Sequence, residues 1–208
     1  FLGWVERLDL KNHTLKSIDI RDVYMFGQAV GFICVDCVVY PIKVPEGHTP
    51  QKLPGYVFIR GDAVAVLVIV IEKETNKRYV LLVNQYRLPF GTYLKEFPAG
   101  MMDENKNFKG QAALELKEEA GIEIKPEDLK ELLTMGPSLG GCDETVKVFY
   151  CEIYKSQEEI KQIESKIYGI HEEGEIIKVE IVEFDVQKIL SLNKVQASAT
   201  IAALFAYD

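Results

Sequence analysis

The stretch EFPAGMMDENKNFKGQAALELKEEAGI, residues 96–122, combines a strong helix signal with a cluster of glutamates. Residues 109–120, KGQAALELKEEA, are rich in Ala, Leu, Glu and Lys, which are all favourable in helices. Gly121 follows, and glycine tolerates the left-handed turn that often comes after the last helical residue. The sequence therefore predicts a helix over 109–120 that carries three closely spaced glutamates.

These glutamates share one face of the predicted helix, which is unfavourable for stability. At 100° per residue, Glu115, Glu118 and Glu119 fall within about 100° of arc. An apolar set is predicted to cover the opposite face: Ala112, Ala113, Leu116 and Ala120. Like charges three or four positions apart destabilise a helix by about 0.2–0.5 kcal/mol per pair. The pattern fits either a solvated acidic surface or a site for a hard divalent cation, which prefers oxygen ligands.

Composition and charge restrict the class of partner. The chain has 208 residues, 48% of them hydrophobic, which suits one ordinary domain or a compact domain with an extension. A net charge of −8 without a Lys/Arg block argues against binding nucleic acid or anionic lipid by charge. The longest apolar run, AVAVLVIVI at 63–71, is far shorter than the roughly 20 residues of a membrane span. We therefore expect no nucleic-acid or membrane partner, and an anionic ligand would need an added cation.

The chain divides by pattern into two parts. Residues 1–55 alternate short apolar runs with turn signals and close in PEGHTPQKLPG, which predicts a β-rich extension. Residues 56–208 contain apolar and alternating runs typical of strands, and the segments DVQKILSL and ASATIAALFAY are typical of helices. The charged run KSQEEIKQIESKIYG is interpreted as a solvated helix or an insertion. This mixture predicts an α+β fold.

Cysteine usage favours free thiols in a reducing compartment. Cys34 and Cys37 form a CxxC pair, but the histidines show no spacing that would complete a zinc site. The pair lies in a Val-rich strand pattern, where small apolar residues are expected. A zinc-stabilised interaction protein is kept as a competing hypothesis. The cytoplasm is the default location, and because the chain begins at Phe1 without Met, an upstream organellar targeting segment stays open.

A spaced motif surrounds the glutamates. PAG at 98–100 is followed by five residues, position 106, seven residues, position 114 and then ELKEEAGI, which is the spacing of G-x5-E-x7-R-E-U-x-E-E-x-G-U, with U aliphatic. The sequence therefore resembles the Nudix hydrolase superfamily. Every interval is kept, and these positions match: Gly100, Glu115, Leu116, Glu118, Glu119, Gly121 and Ile122. Lys106 and Leu114 depart, standing where the pattern has Glu and Arg.

The resemblance implies a fold and a metal-dependent reaction. The implied fold is an α/β/α sandwich with a mixed β-sheet. Glu115 and Glu119 would be the principal ligands of Mg²⁺, with Mn²⁺ as an alternative. Glu118 would bind the metal directly or through water, and the backbone carbonyl of Ala99 would complete the site. The implied reaction is attack of a metal-activated water on one phosphorus of a diphosphate.

Further segments resemble the ADP-ribose and ADP-sugar pyrophosphatase branch of that superfamily. In NQYRLP, Arg87 would hydrogen-bond a substrate phosphate. In KEFPAG, Glu96 would complete the metal or substrate site, and Gly100 is also assigned to substrate binding. In SLGGCDET, Glu144 is the candidate general base or additional metal ligand, on a loop whose glycines suit a lid.

Within this branch the chain looks most like the plant-type ADP-sugar diphosphatases. That group hydrolyses ADP-ribose or ADP-glucose to AMP and a sugar phosphate. Two alternatives stay open, namely a UDP-sugar diphosphatase and a sensor that binds nucleotide sugars without cleaving them. The resemblance also implies a homodimer, in which the β-rich extension exchanges between subunits. Trp4, Tyr24 and Phe26 are candidates for stacking on the base.

Overall fold

The computed structural model describes residues 2–102, 107–170 and 175–207. The chain forms two compact units. The first consists of Phe1–Gly61 and Gly136–Glu144, and the second of Asp62–Met135 and Thr145–Asp208. The loop that carries Glu144 thus belongs to the same unit as the amino-terminal residues.

The first unit is an antiparallel sheet with a short helix. Its elements are α1 (Leu2–Glu6), β1 (His13–Phe26), β2 (Ala29–Pro41) and β3 (Tyr56–Ile59). The strands lie in the order β1-β2-β3. Phe26 pairs with Ala29 across a tight turn, and Gly27 there has a φ of 58°, which glycine adopts at little cost. The helix α1 departs from the β-rich prediction, and its Trp4 packs against the core of this unit.

Alternate residues of β2 form that core. Ile33, Val35 and Cys37 are buried, as a strand with one inward face requires. Cys37 therefore fills apolar space, whereas Cys34 lies three positions away on the other face and is half-buried.

The second unit contains a mixed sheet and most of the helices. Its elements are β4 (Ala63–Glu72), β5 (Arg78–Arg87), β6 (Thr92–Glu96), β7 (Ala99–Met101), α2 (Phe108–Ala120), β8 (Lys130–Met135), β9 (Val146–Lys155), α3 (Gln157–Glu164), β10 (Ile167–Tyr168), β11 (Ile177–Glu183), α4 (Val186–Leu190) and α5 (Ser198–Tyr207). The strand order is β10-β11-β5-β4-β9-β8, with β6 paired to β5 and β7 to β4. Strands β4 and β9 run parallel and the other pairs antiparallel, so the sheet is mixed.

Helices cover both faces of this sheet. One face of β4, including Val66 and Val68, packs in the cluster that contains Leu116 of α2. The other face, including Leu67, packs in the cluster that contains Leu204 of α5. Because both faces of β4 are covered, its sequence is a continuous apolar run rather than an alternating one. The predicted α+β fold, an α/β/α sandwich with a mixed sheet, is confirmed.

The helix boundaries follow from their caps. The side chain of Asn107 accepts a hydrogen bond from the Gly110 N–H at 3.0 Å at the start of α2. Gly121, with a φ of 63°, ends α2, as the sequence predicts. The charged run after β9 forms the helix α3, which begins with a capping box made by Ser156 and Glu159. Over the described ranges, no helix is long and apolar enough to cross a membrane.

Candidate active site

Helix α2 buries one of its three glutamates. Glu119 is only 4% exposed and shares the buried side of the helix with Ala112, Leu116 and Ala120. The prediction that placed Glu119 opposite the packed face is therefore wrong. Its position three residues after Leu116 brings it to the same side of the helix. Glu115 and Glu118 are half-buried, so a fully solvated acidic face does not describe this helix.

The carboxylate of Glu119 accepts a hydrogen bond from the backbone and lies near other negative charges. The Ala99 N–H donates to Glu119 Oε2 at 2.9 Å, which ties α2 to β7. Burial raises the pKa of Glu119 to about 8; the Ala99 hydrogen bond opposes this rise, and the charges of Glu115 and Glu175 add to it. The nearby positive charge of Arg87 lowers the same pKa without offsetting the rise. A carboxylate in this setting would be stabilised in its ionised form by an added cation.

Glu115 lies directly against the backbone of β7. A Cβ added to Gly100 would stand 1.8 Å from Glu115 Oε1 and 2.0 Å from its Cδ, so only glycine fits there. The Gln111 side chain, one turn earlier on α2, donates from Nε2 to Glu115 Oε1 at 2.7 Å. The close approach of Gly100 therefore positions the Glu115 carboxylate at β7, the strand whose Ala99 N–H binds Glu119.

Arg87 and Glu96, both predicted from sequence, form an ion pair. Arg87 ends β5 and Glu96 ends β6, and Arg87 Nη2 lies 2.7 Å from Glu96 Oε2. Arg87 Nε also donates to both Glu96 oxygens, at 3.3 and 3.2 Å. Burial lowers the pKa of Arg87, but the hydrogen bonds and charge of Glu96, together with the charges of Glu119 and Glu175, raise this pKa overall. Arg87 thus stays charged, and it lies close enough to Glu119 for its positive charge to lower the pKa of that carboxyl group.

Glu175 is a site residue that the sequence reasoning missed. It is half-buried just before β11, and its negative charge raises the pKa of both Glu119 and Arg87. Its Oε2 accepts a hydrogen bond from the Ile170 N–H at 3.4 Å. Only an indirect signal could have identified Glu175 from the sequence, namely that β11, which follows it, pairs with β5, the strand that ends at Arg87. A predicted pairing of these strands would have brought Glu175 towards the site.

Glu144 lies in the first unit, where it is paired. Its Oε1 is 3.0 Å from Arg60 Nε, and its side chain is 15% exposed. Burial raises the pKa of Glu144, while the Arg60 charge opposes this rise. The adjacent Asp143 accepts hydrogen bonds from the N–H groups of Arg60 and Gly61, at 2.7 and 3.0 Å. The loop is therefore anchored by Asp143, and a catalytic role of Glu144 stays a prediction.

Two of the three candidates for base stacking are exposed on the first unit. Tyr24 and Phe26 are 61% and 47% exposed, and both contact Phe32. The Arg60 guanidinium lies over the Phe32 ring at 5.6 Å. Trp4 instead packs against the core of the unit.

The metal assignment is tested by the chemistry of the donors. Among the residues that the structure describes, no three His, Cys, Asp or Glu side chains are grouped so that they could hold a metal ion. The site does offer carboxylate oxygens, which hard divalent cations prefer, and Glu119 has a raised pKa that a cation would reverse. A small hard cation that keeps several of its waters needs only one or two protein carboxylates, so the oxygens of Glu115 and Glu119 fit such an ion without a group of three ligands. At the two departing positions, Leu114 is 44% exposed, and Lys106 lies outside the described residues.

Comparison with known proteins identifies the family. A model described as NUDIX domain matches residues 61–205. The chain is 36% identical over 201 residues to Nudix hydrolase 14, chloroplastic, of Arabidopsis thaliana; the match covers 88% of this chain and 63% of that protein's length. It is 27% identical over 175 residues to the ADP-ribose pyrophosphatase of Bacillus subtilis, covering 82% of this chain and 83% of the relative.

A solved structure shares the fold. The crystal structure of an ADP compounds hydrolase superposes with a TM-score of 0.59 at 15% sequence identity and covers 93% of this chain and 94% of the other. This likeness concerns the fold alone. The family model covers more than half of the chain, and Glu115 and Glu119 lie within the matched residues and contact the backbone of β7. The chain belongs to the NUDIX domain family.

Proposed function

We propose that this chain hydrolyses the diphosphate linkage of a nucleoside diphosphate sugar, ADP-ribose or ADP-glucose, to AMP and a sugar phosphate. The observation that carries the proposal is the meeting of Glu115 and the buried Glu119 at β7, within electrostatic range of Arg87. The name of the Bacillus subtilis relative, an ADP-ribose pyrophosphatase, supports the substrate class.

The proposed cofactor is Mg²⁺, with Mn²⁺ as an alternative, since Nudix hydrolases generally use a divalent metal ion. Glu115, Glu118 and Glu119, with the backbone carbonyl of Ala99, would hold it. When bound, the ion would supply charge stabilisation at the phosphates and lower the pKa of a bound water. The raised pKa of Glu119 supports the assignment, because the buried carboxylate lacks sufficient positive charge from the protein.

Arg87 is proposed to orient the diphosphate. Its bonds to Glu96 use Nε and Nη2, so Nη1 is the nitrogen that would donate to a phosphate oxygen. Glu96 keeps the guanidinium charged and fixes its plane. Gly100 would let the diphosphate and the Glu115 carboxylate approach the backbone of β7 closely.

Two carboxylates are proposed for the remaining roles. Glu175 is assigned to proton abstraction from water, because its charge acts on both Glu119 and Arg87. Glu144 is assigned to binding an additional metal ion, one of the two roles that the family resemblance implies for it. Its ion pair with Arg60 would have to open for that role.

A homodimer is also proposed, with residues 1–55 as the exchanged extension and residues 56–208 as the catalytic domain. Exposed apolar side chains on β1 support it, since a monomer rarely leaves such a set uncovered: Ile20, Val23, Tyr24, Met25 and Phe26. Light scattering of the intact chain tests this proposal, and a monomer at micromolar concentration would contradict it.

The function is tested with a panel of ADP-ribose, ADP-glucose and UDP-glucose, each with Mg²⁺, with Mn²⁺ and with a chelator. We expect metal-dependent release of AMP from an ADP-sugar. Faster cleavage of UDP-glucose would indicate a UDP-sugar diphosphatase. Tight binding of ADP-ribose without turnover would instead favour a sensor, the alternative that the exposed, uncharged Leu114 supports.

A further inference from the structure

Gln111 makes a contact that the family motif does not specify. Its Nε2 donates to Oε1 of Glu115 at 2.7 Å, one helical turn away. We propose that Gln111 is a positioning residue, which holds the Glu115 carboxylate at β7 in the orientation that binds a divalent cation. This inference rests on the proposed function only in assuming that the site binds a divalent cation. It does not depend on the identity of the substrate.

Glu115 needs such a restraint because of its neighbours. Its carboxylate lies against Gly100, and Glu119, four positions later on α2, brings a second carboxyl group to the backbone of β7, so the ionised forms of the two repel each other. A half-buried glutamate on a helix can relieve this repulsion by rotating towards solvent. A hydrogen bond to the charged oxygen opposes that rotation, and hydrogen bonds to charged groups are stronger than neutral ones.

The position of Gln111 is itself fixed by the start of α2. Its N–H donates to the Asn107 carbonyl at 2.9 Å, and the Asn107 side chain caps the helix through the Gly110 N–H. Residues four apart on a helix face each other, so the Gln111 amide reaches Glu115 without distorting the backbone. The cap, the amide and the carboxylate therefore form one connected series along the first turns of α2.

The neutrality of Gln111 matters for the cation. A Lys or Arg at position 111 would donate a similar hydrogen bond, but its positive charge would repel a divalent ion. The neutral amide can hold Glu115 without adding a positive charge beside it. The residue that precedes Glu115, where the motif has Arg, is the uncharged and exposed Leu114. In this chain the neutral amide of Gln111 is thus the donor that we assign to orienting Glu115.

The test is calorimetric titration of the intact, metal-free chain with Mn²⁺, without substrate. Gln111→Met removes the donor and keeps the length and helix propensity of the side chain. We expect its Kd for Mn²⁺ to rise roughly tenfold, the size expected for one lost hydrogen bond to a charged group. Lys117→Ala is the matched control on α2, because Lys117 pairs at the surface with Glu123, and we expect a change of less than about twofold.

Thermal melts in chelator check that both variants fold, and Gln111→Ala replaces Gln111→Met if the latter does not. An unchanged Kd in the folded Gln111 variant overturns the inference, as does an equal loss in Lys117→Ala or absence of Mn²⁺ binding by the unmodified chain. In turnover assays the variant should need more metal for half-maximal rate at an unchanged KM for ADP-ribose. If no diphosphate is cleaved but the Mn²⁺ difference persists, the proposed function fails and the inference on Gln111 stands.

Discussion

Glu119 and Ala99 join the helix α2 to the strand β7, through a hydrogen bond of 2.9 Å from the Ala99 N–H to the buried Glu119 carboxylate. This contact keeps an acidic side chain inside the protein at a position where burial alone would favour its neutral form. The ionised form of a carboxyl group buried in this way needs a positive partner, and the proposed metal ion would supply it.

Replacement of Glu119 should separate stability from activity. Glu119→Gln keeps the shape of the side chain and replaces a carboxyl group whose ionised form is disfavoured by burial. We expect a melting temperature in chelator equal to or above that of the unmodified chain, with hydrolysis lost. Calorimetry and an AMP-release assay measure the two effects. A large loss of stability would show that Glu119 is structural.

Gly100→Ala should displace Glu115. The added Cβ would overlap the Glu115 carboxylate, so the side chain must leave β7. We expect a fall in activity of roughly 100-fold or more, because misplaced catalytic groups lose that much, with the fold retained. Gly3→Ala is the control, since a Cβ on Gly3 meets nothing within 4 Å. Equal activity of the two variants would refute the positioning of Glu115 by Gly100.

Removal of the Arg87 guanidinium should weaken substrate binding. Arg87→Gln leaves Glu96, whose side chain is only 12% exposed, without its cation and removes the proposed phosphate donor. We expect KM for ADP-ribose to rise roughly tenfold or more, the effect of losing a charge-assisted hydrogen bond. Lys188→Gln, which breaks a surface ion pair with Glu183, serves as the control for loss of positive charge. An unchanged KM in Arg87→Gln would exclude Arg87 from the phosphate site.

The two proposed carboxylates should give different kinetic effects. Glu175→Gln should lower kcat about 100-fold or more at any metal concentration, as loss of a general base does. Glu144→Gln should instead raise the metal concentration needed for half-maximal rate. Steady-state kinetics over a metal series distinguishes them. If excess metal restores Glu175→Gln, the two roles would have to be exchanged.

Acid stability should depend on Glu159. The backbone hydrogen bond of Ser156, followed by that of Lys73, lowers the pKa of Glu159 to about 2. The unfolded pKa is higher, so this stabilisation is complete above about pH 4.5 and is lost as the pH falls towards 2. Glu159→Gln should therefore lose less stability than the unmodified chain between pH 5 and pH 2, with the exposed Glu158→Gln as control. The free energy of unfolding is measured by urea titration at each pH. An equal fall of this free energy with pH in Glu159→Gln and in the unmodified chain would contradict the prediction.

Local sequence patterns predicted much of the fold, but they could not predict contacts between residues that are distant in the sequence. Helix α2 and strand β4 follow from composition and from a continuous apolar run. The burial of Glu119 was missed because helical periodicity gives the angles between side chains but not how much of the helix surface β7 and the sheet cover. Glu175 was missed because its proximity depends on the pairing of β11 with β5, which no local pattern fixes.

The ion pair of Arg87 with Glu96 shows the same limit. Both residues were predicted to contact substrate, but their contact with each other depends on the antiparallel pairing of β5 with β6. The resemblance of the segments NQYRLP and KEFPAG identified the two residues, and the strand pairing determined what each one contacts.

The central claim is that the carboxylates of α2 support metal-dependent cleavage of an ADP-sugar. The most direct measurement is AMP release from ADP-ribose with Mg²⁺ by the unmodified chain and by folded Glu115→Gln and Glu119→Gln. The account predicts turnover that a chelator abolishes and that both substitutions reduce by several orders of magnitude. Full activity in both variants, or turnover that persists in chelator, would contradict it.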